Sequence, residues 1–482
     1  MPVSFNKLLL AGMVAMSCMA AAQGRDAVQQ DELAQLRQTV ERLGARVQAL
    51  EAERASAAAP APSAPPPALP AATPAPGAPI GPQIASITVF KAVSPLPVRD
   101  TFDEDEQAVA RADNEIPPGD GLEGFFQLPG TRTWLRLGGY AKLDAMYDTD
   151  DAGDSDQFIT SEIPIDGGRD GSRFNMHARQ TRLTLEGRRE TDRGQLRFLV
   201  QNDFFGSGGS YGYRLRHAYG QLGNTYAGFG WSAFMDLDSG PDTLDFAGPP
   251  ASPSARLASI RQYFPLGRGN QIVLAAEHRA PELRLSDPAQ ATRTAAPNLV
   301  VAARHEADWG SLQLAGLLRY LAYDSARDSG AGDDSAVAGG VAFSGAWGGT
   351  DSGDYMVFGA VAGQGIAAYL GDLGGLDLDG VVDANGQLRT LKQQGGWLGY
   401  THHWAPHWRS TITWSRLYVE RDVLLGPSVF RRSDYAAANL VWQPAPSWSW
   451  GAEVLYGKLM QQDGQDADVW RLQTALKYDF VR

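Results

Sequence analysis

The stretch from Ala178 to Gly220 holds the residues with the clearest chemistry. Arg182, Thr184 and Glu186 alternate with Leu183, Leu185 and Gly187. Arg197, Leu199 and Gln201 alternate with Leu196, Phe198 and Val200, and Arg214 and Arg216 flank Leu215. A guanidinium keeps its charge at any physiological pH, and its planar fork of donors fits a carboxylate at two points. Residues two apart share one face of a β-strand. The spacing therefore sets Arg182, Arg188, Arg197, Arg214 and Arg216 as a basic ladder, and Arg261 joins them from a later segment. Such a ladder attracts and grips small anions; it breaks no bonds. The acid-rich stretch Asp236 to Ser254, stiffened by Pro241, Pro249 and Pro250, offers counter-charges, with Asp242 and Asp245 as the candidates to face the ladder. The competing reading pairs several of these arginines with neighbouring acids such as Glu186 and Asp203, or places them at subunit contacts.

Bond-breaking chemistry is poorly supported. The chain has no P-loop and no H-E-x-x-H. One G-x-S-x-G match, Gly208 to Gly212, lies in a Gly/Ser-rich link between strands and not on the strand-to-helix turn that a nucleophile elbow needs. His402, His403 and His407 cluster, but Pro406 makes their segment a turn, where the spacing does not suit a metal. His217, beside Arg216, falls by alternation on the outward face, at a subunit contact. A non-enzyme with no cofactor, no metal site and no nucleic-acid partner is expected.

The ladder needs a sheet to hold it. From Thr131 onward short alternating segments are separated by turn residues, and no apolar run is long enough for a helical membrane span. Strands are expected near 132–148, 178–190, 194–205, 213–223, 226–235, 256–265, 270–279, 298–307, 309–322, 336–347, 354–364, 392–404, 408–420, 428–443, 447–460 and 468–480. The links alternate. Thr191-Asp192-Arg193, Asn224-Thr225 and Ala405-Pro406-His407 are short; Thr149 to His177 and Gly365 to Leu391 are long. Short turns at one end and long loops at the other are the habit of a transmembrane barrel, and an even strand number suits it. Trp404, Trp408, Trp442, Trp448 and Trp450 bracket the short turns, where an indole meets a membrane interface. In the last strand Trp470, Leu472, Thr474, Leu476, Tyr478 and Phe480 share one face, and Arg471, Gln473, Ala475, Lys477 and Asp479 the other. The fold class is thus an all-β transmembrane barrel of about sixteen antiparallel strands over residues 124–482, preceded by an N-terminal α-helical coiled coil. Outer-membrane lipid and lipopolysaccharide are its surroundings.

Residues 1–22 read as a secretory signal: Lys7, an apolar run, then Ala20-Ala21-Ala22. Cys18, the only cysteine, leaves with it, so no disulfide is expected. Residues 26–54 form the coiled coil. Leu33, Leu36, Val40, Leu43, Val47 and Leu50 recur at spacings of three and four, a seam too narrow for a lone helix to bury. Valine and leucine in the seam lean toward two strands, but Arg46-Val47-Gln48-Ala49-Leu50-Glu51 is similar to a trimer motif in which Arg46 packs over the seam and reaches Glu51 of a neighbour. Residues 55–122 are an Ala/Pro-rich and then acidic linker. Asp100 to Asp120 holds eight acidic residues against one base, so the formal charge of −13 says little about the lumen.

Three groups of residues carry a resemblance. Gly124-Phe125-Phe126-Gln127-Leu128-Pro129-Gly130-Thr131 and Leu137 to Asp144 form the first. Ala178-Arg179-Gln180-Thr181-Arg182-Leu183 and Arg216-His217-Ala218-Tyr219-Gly220 form the second, and Gly230-Trp231-Ser232-Ala233-Phe234-Met235-Asp236 the third. Together they resemble the DcaP-like outer-membrane porin family. The resemblance spans about residues 124 to 265, and the heptad helix ahead of the barrel is also similar to that family. It implies a sixteen-stranded homotrimer in the Gram-negative outer membrane, a periplasmic coiled coil, a basic lumen and small organic anions, dicarboxylates or aromatic acids, as cargo. In general porins the loop after the fifth strand folds into the lumen, which here is Asp236 to Ser254. The chain departs from the pattern in ending on Val481-Arg482 and in its long linker. Two other readings are a porin for neutral solutes such as sugars, and a structural anchor or periplasmic tether.

Overall fold

A computed structural model describes residues 124–480 apart from 167, 169–170, 208–210, 327–331 and 349–352. The expected signal, coiled coil, linker and Val481-Arg482 lie outside the described residues, as does most of the G-x-S-x-G match.

Sixteen strands build the wall. The first eight are β1 (Thr133–Asp148), β2 (Arg182–Thr191), β3 (Gly194–Gly206), β4 (Gly212–Leu222), β5 (Thr225–Trp231), β6 (Arg256–Gly267), β7 (Asn270–His278) and β8 (Asn298–Ala307). The second eight are β9 (Gly310–Ser325), β10 (Asp334–Gly348), β11 (Tyr355–Gln364), β12 (Lys392–Ala405), β13 (Trp408–Val419), β14 (Phe430–Ala445), β15 (Trp448–Gln461) and β16 (Asp466–Asp479). Each pairs antiparallel with the next, and β16 pairs with β1 from Tyr140↔Asp479 to Asp148↔Arg471, which closes the sheet. Closure leaves no unpaired edge, which a sheet in hydrocarbon requires.

Alternation decides what faces out. On β16, Trp470, Leu472 and Tyr478 are exposed, whereas Arg471, Gln473, Ala475 and Lys477 are buried. The same division of greasy outside and polar inside recurs around the wall. At the short-turn end Trp408 pairs across the ladder with Trp442, their rings stacked 5.8 Å apart, and Trp442 pairs with Trp450. All three face outward, as an interfacial belt does.

Two strands depart from expectation. The second is broken: Arg173–His177 pairs with β1, Ala178 to Thr181 makes a turn closed by a Thr181 N–H to Ala178 carbonyl bond, and β2 resumes at Arg182. The fifth ends at Trp231, before the expected 235, because Ser232 and Ala233 turn to bond the Glu277 carboxylate on β7. A small sheet was also not foreseen. Leu283–Arg284 runs parallel to Gly380–Val382, which pairs antiparallel with Leu388–Thr390, joining two long loops at the external end.

Candidate functional site

The loop after β5 enters the lumen and lies along the far wall from β8 around to β1. Arg304 on β8 and Ser344 on β10 bond Asp236, and the Trp397 indole on β12 donates to the Ser239 carbonyl at 2.8 Å. Arg409 on β13 meets Asp242 at 2.7 Å. Glu453 on β15 accepts the Leu244 and Asp245 N–H groups at 3.0 and 2.8 Å, and Lys142 on β1 donates to the Leu244 carbonyl at 2.8 Å. Inward glycines make room for it. A Cβ on Gly399 would stand 2.9 Å from Pro241, and one on Gly451 2.9 Å from Leu244. The loop is fixed by bonds to groups that are themselves held on strands, so its position is rigid.

What remains between the loop and the β1–β6 wall is a cavity of about 290 Å³. Arg182, Arg214, Arg216 and Arg256 line it from the wall, and Phe246 lines it from the loop. The guanidinium carbons of Arg214 and Arg216 each lie 5.3 Å from the Phe246 ring, and that of Arg182 lies 5.9 Å away. Phe246 is stacked on Phe205, which fixes its plane. Arg214 and Arg216 share the single carboxylate of Asp203 at 2.6 and 2.8 Å. Arg256 lies 4.7 Å over the Trp231 ring, has no ion-pair partner among the described residues, and leaves its Nη1 without a hydrogen bond. Four guanidinium groups converge on the wall side, with only Asp203 paired to them there, and the cavity's other carboxylates stand on the loop side, which makes the wall side strongly positive.

The expected site residues divide. Arg182, Arg214 and Arg216 come together in this cavity. Arg188 and Arg197 do not: both bond Glu186 at 2.8 Å, and Arg136 bonds its other oxygen at 2.7 Å. That cluster lies nearer the short turns, with Arg188 4.8 Å over Phe125. Arg261 lies 4.5 Å over Tyr226, donates to the Trp231 carbonyl, and lines a separate cavity of about 90 Å³. Asp242 and Asp245 line the main cavity but are committed to the far wall, Asp242 to Arg409 and Asp245 to the Tyr435 hydroxyl. The loop is less an acidic face toward the ladder than a strap whose acids are its fastenings.

His217 is a correction. It is buried inside the barrel and lines the same cavity as Arg261, not the outward face. The pairing jumps from Asn202↔Leu215 to Gln201↔His217, which leaves Arg216 as an extra residue. Such a bulge puts two consecutive side chains on one side and reverses the phase of everything beyond it. Arg256 was missed for the converse reason: strict alternation sets it with Ala258 and Ile260 on the lipid face, but at the end of β6 it folds over Trp231, its cross-strand partner. Phe246 carries no signal of its own in the sequence.

At the loop end, Asp372 accepts hydrogen bonds from the Thr160 hydroxyl and the Ser161 N–H, tying two external loops together beside the cavity. Burial pushes its carboxyl up to about 7, and nearby Asp245 adds to the rise against those two bonds. Of the histidine cluster, His402 bonds Asp354 at 2.8 Å and His407 the Gln443 carbonyl at 2.9 Å, each a separate fastening at the short-turn rim. No group of three or more His, Cys, Asp or Glu side chains among the described residues is placed to hold a metal.

The structure is similar to the outer membrane channel DcaP of Acinetobacter baumannii, with a TM-score of 0.66 and 23% identity over 74% of this chain and 99% of that one. It is also similar to an anion-selective porin from Comamonas acidovorans, with a TM-score of 0.49 and 12% identity over 72% and 100% of the two chains. OmpT of Vibrio cholerae gives 0.46 and 10% over 73% and 99%. No curated protein sequence matches the chain. A family model described as a porin subfamily matches residues 122–478, and with the closed barrel and its inward loop this establishes that the chain belongs to that porin family and is an outer-membrane channel.

Proposed function

We propose that this channel passes small organic anions by diffusion, dicarboxylates and aromatic acids foremost. One observation carries the reading: Arg182, Arg214, Arg216 and Arg256 converge on one cavity beside Phe246, while the loop's acids are bonded to the opposite wall. A carboxylate entering that space exchanges water for charge-assisted bonds, and a flat apolar body finds the Phe246 ring. Cations meet four arginines there, and the lining aspartates Asp242 and Asp245 are already bonded to the far wall, so the field that admits anions opposes them. We further propose a homotrimer clasped by a periplasmic coiled coil over 26–54, after a signal over 1–22 and joined to the barrel by the linker 55–122.

Planar-bilayer recording in a salt gradient tests the selectivity. The expected result is a reversal potential on the anion side and block by added succinate. Reversal on the cation side, with no block by organic acids, would overturn the proposal.

A further inference from the structure

A further cavity, of about 340 Å³, lies among the external loops. Its lining is mixed: Ile163, Leu378, Val429, Phe430 and Leu459, all of the buried core, share it with Ser161, Asp166, Ser428 and Gln461. Arg284 supplies the one cationic side chain among the described lining residues. That arginine sits on the small loop sheet, pairing with Val381, so its backbone is held rather than mobile. It has no ion pair among the described residues. Its Nη2 makes only a long contact of 3.4 Å to the Leu376 carbonyl, and its Nε has no partner. The chain between these walls turns through Asp377, whose φ of 57° is left-handed; a non-glycine residue there is uncommon and marks a specified conformation.

We propose that this cavity is a capture site at the channel mouth for a compact apolar monocarboxylate, the size and shape of benzoate. Apolar side chains with a small number of placed polar groups are the usual form of a small-molecule site. The single guanidinium takes one carboxylate, and the apolar wall takes the body. A second carboxylate would be buried without a partner, at high cost, and Asp166, an exposed lining residue, opposes each added negative charge. The site therefore selects monoanions, unlike the four-arginine cavity. The two cavities lie on either side of the turn Thr160–Glu162: Gln157 and Ile159 line the inner one, Ser161 and Ile163 the outer. A captured solute waits one turn from the constriction. The binding step stands on its own geometry; only its place on a permeation path rests on the channel function proposed above.

Calorimetric titration of the full chain in detergent tests it, with benzoate, its neutral analogue benzyl alcohol and succinate as probes. Wild type is expected to bind benzoate at millimolar concentration or below. Arg284→Gln should weaken benzoate about tenfold, the loss of one charge-assisted pair, and leave benzyl alcohol within about twofold by the same arithmetic. Saturating succinate occupies the four-arginine cavity, so the benzoate heat that survives it reports this one; Ser428→Trp, at an exposed lining position, should fill the cavity and abolish that heat and the benzyl alcohol heat. Arg256→Gln should leave this benzoate site unchanged while weakening succinate. The proposal is overturned if wild type gives no benzoate heat in saturating succinate, if Arg284→Gln leaves that affinity within about twofold, or if Ser428→Trp still shows it. Loss of anion-side reversal with these heats intact removes only the constriction reading.

Discussion

Arg256 is the cation in the constriction with the fewest commitments. Arg214 and Arg216 spend part of their charge on Asp203, whereas Arg256 is offset only by the face of Trp231. An incoming carboxylate therefore gains most from Arg256, since no existing ion pair must be broken first. Arg256→Gln should weaken succinate block about tenfold, one charge-assisted pair, and move the reversal potential toward zero, with the barrel still resisting SDS at room temperature. Alanine at both Arg214 and Arg216 should also lower anion preference, but it strands the buried Asp203 and so carries a stability cost of about 1–3 kcal/mol. An unchanged reversal potential in that double variant would remove the pair from the filter. Asp372 gives a pH signature. Its carboxyl holds a proton up to about pH 7 in the fold, whereas an ordinary aspartate releases it near about pH 4. The fold binds more protons than the unfolded chain between those values, so stability falls as pH rises through that window, by about 1.4 kcal/mol per unit. Asp372→Asn should flatten this slope in urea titrations at pH 5 and pH 8, and a slope equal to wild type would exclude Asp372 as its source.

At the scale of elements, the wall was legible and the strap was not. Strands announced themselves because lipid and lumen impose opposite chemistries at period two, and Trp470, Leu472 and Tyr478 against Arg471, Gln473 and Lys477 repeat that rule without exception. The rule fails where the backbone leaves it, at the bulge that turns His217 inward and at the ends of β5 and β6 that swing Trp231 and Arg256 into the cavity. The composition of the inward loop was plain, with four aspartates and four prolines, but its bonding was not. Whether Asp242 faces an arginine on the near wall or Arg409 on the far wall is decided by strands more than 150 positions away in the chain. Glu453 is the fastening that two loop N–H groups depend on. Glu453→Leu should release the loop tip, at about 1–3 kcal/mol for each donor left unpaired. The strand ladder does not use that side chain, so heat-modified mobility should persist while single-channel conductance becomes larger or noisier and anion preference falls. Conductance and selectivity identical to wild type would mean that the loop holds its place without Glu453.

For the whole molecule, net charge and local charge point in opposite directions. The chain is formally −13, yet the cavity it builds is basic, because charge in a lumen is set by which side chains share a face and not by their sum. The same separation of scales governs assembly. The barrel closes on itself through β1 and β16 and needs no partner to satisfy its backbone, so subunit association must draw on other surfaces. In the proposed coiled coil the residues from Leu33 to Leu50, with Arg46 and Glu51 beside them, would form an apolar stripe that a single helix cannot bury. If it clasps three chains, its free energy acts through effective concentration, holding barrels together without altering any one lumen. Deleting residues 26–54 should therefore leave the unit conductance and the reversal potential unchanged. Triplet conductance steps should become rare, and the heat at which the oligomer dissociates on SDS gels should fall. A truncated protein that dissociates at the same temperature as the full chain would show that the barrels associate through their own outer faces and that the helix serves another purpose.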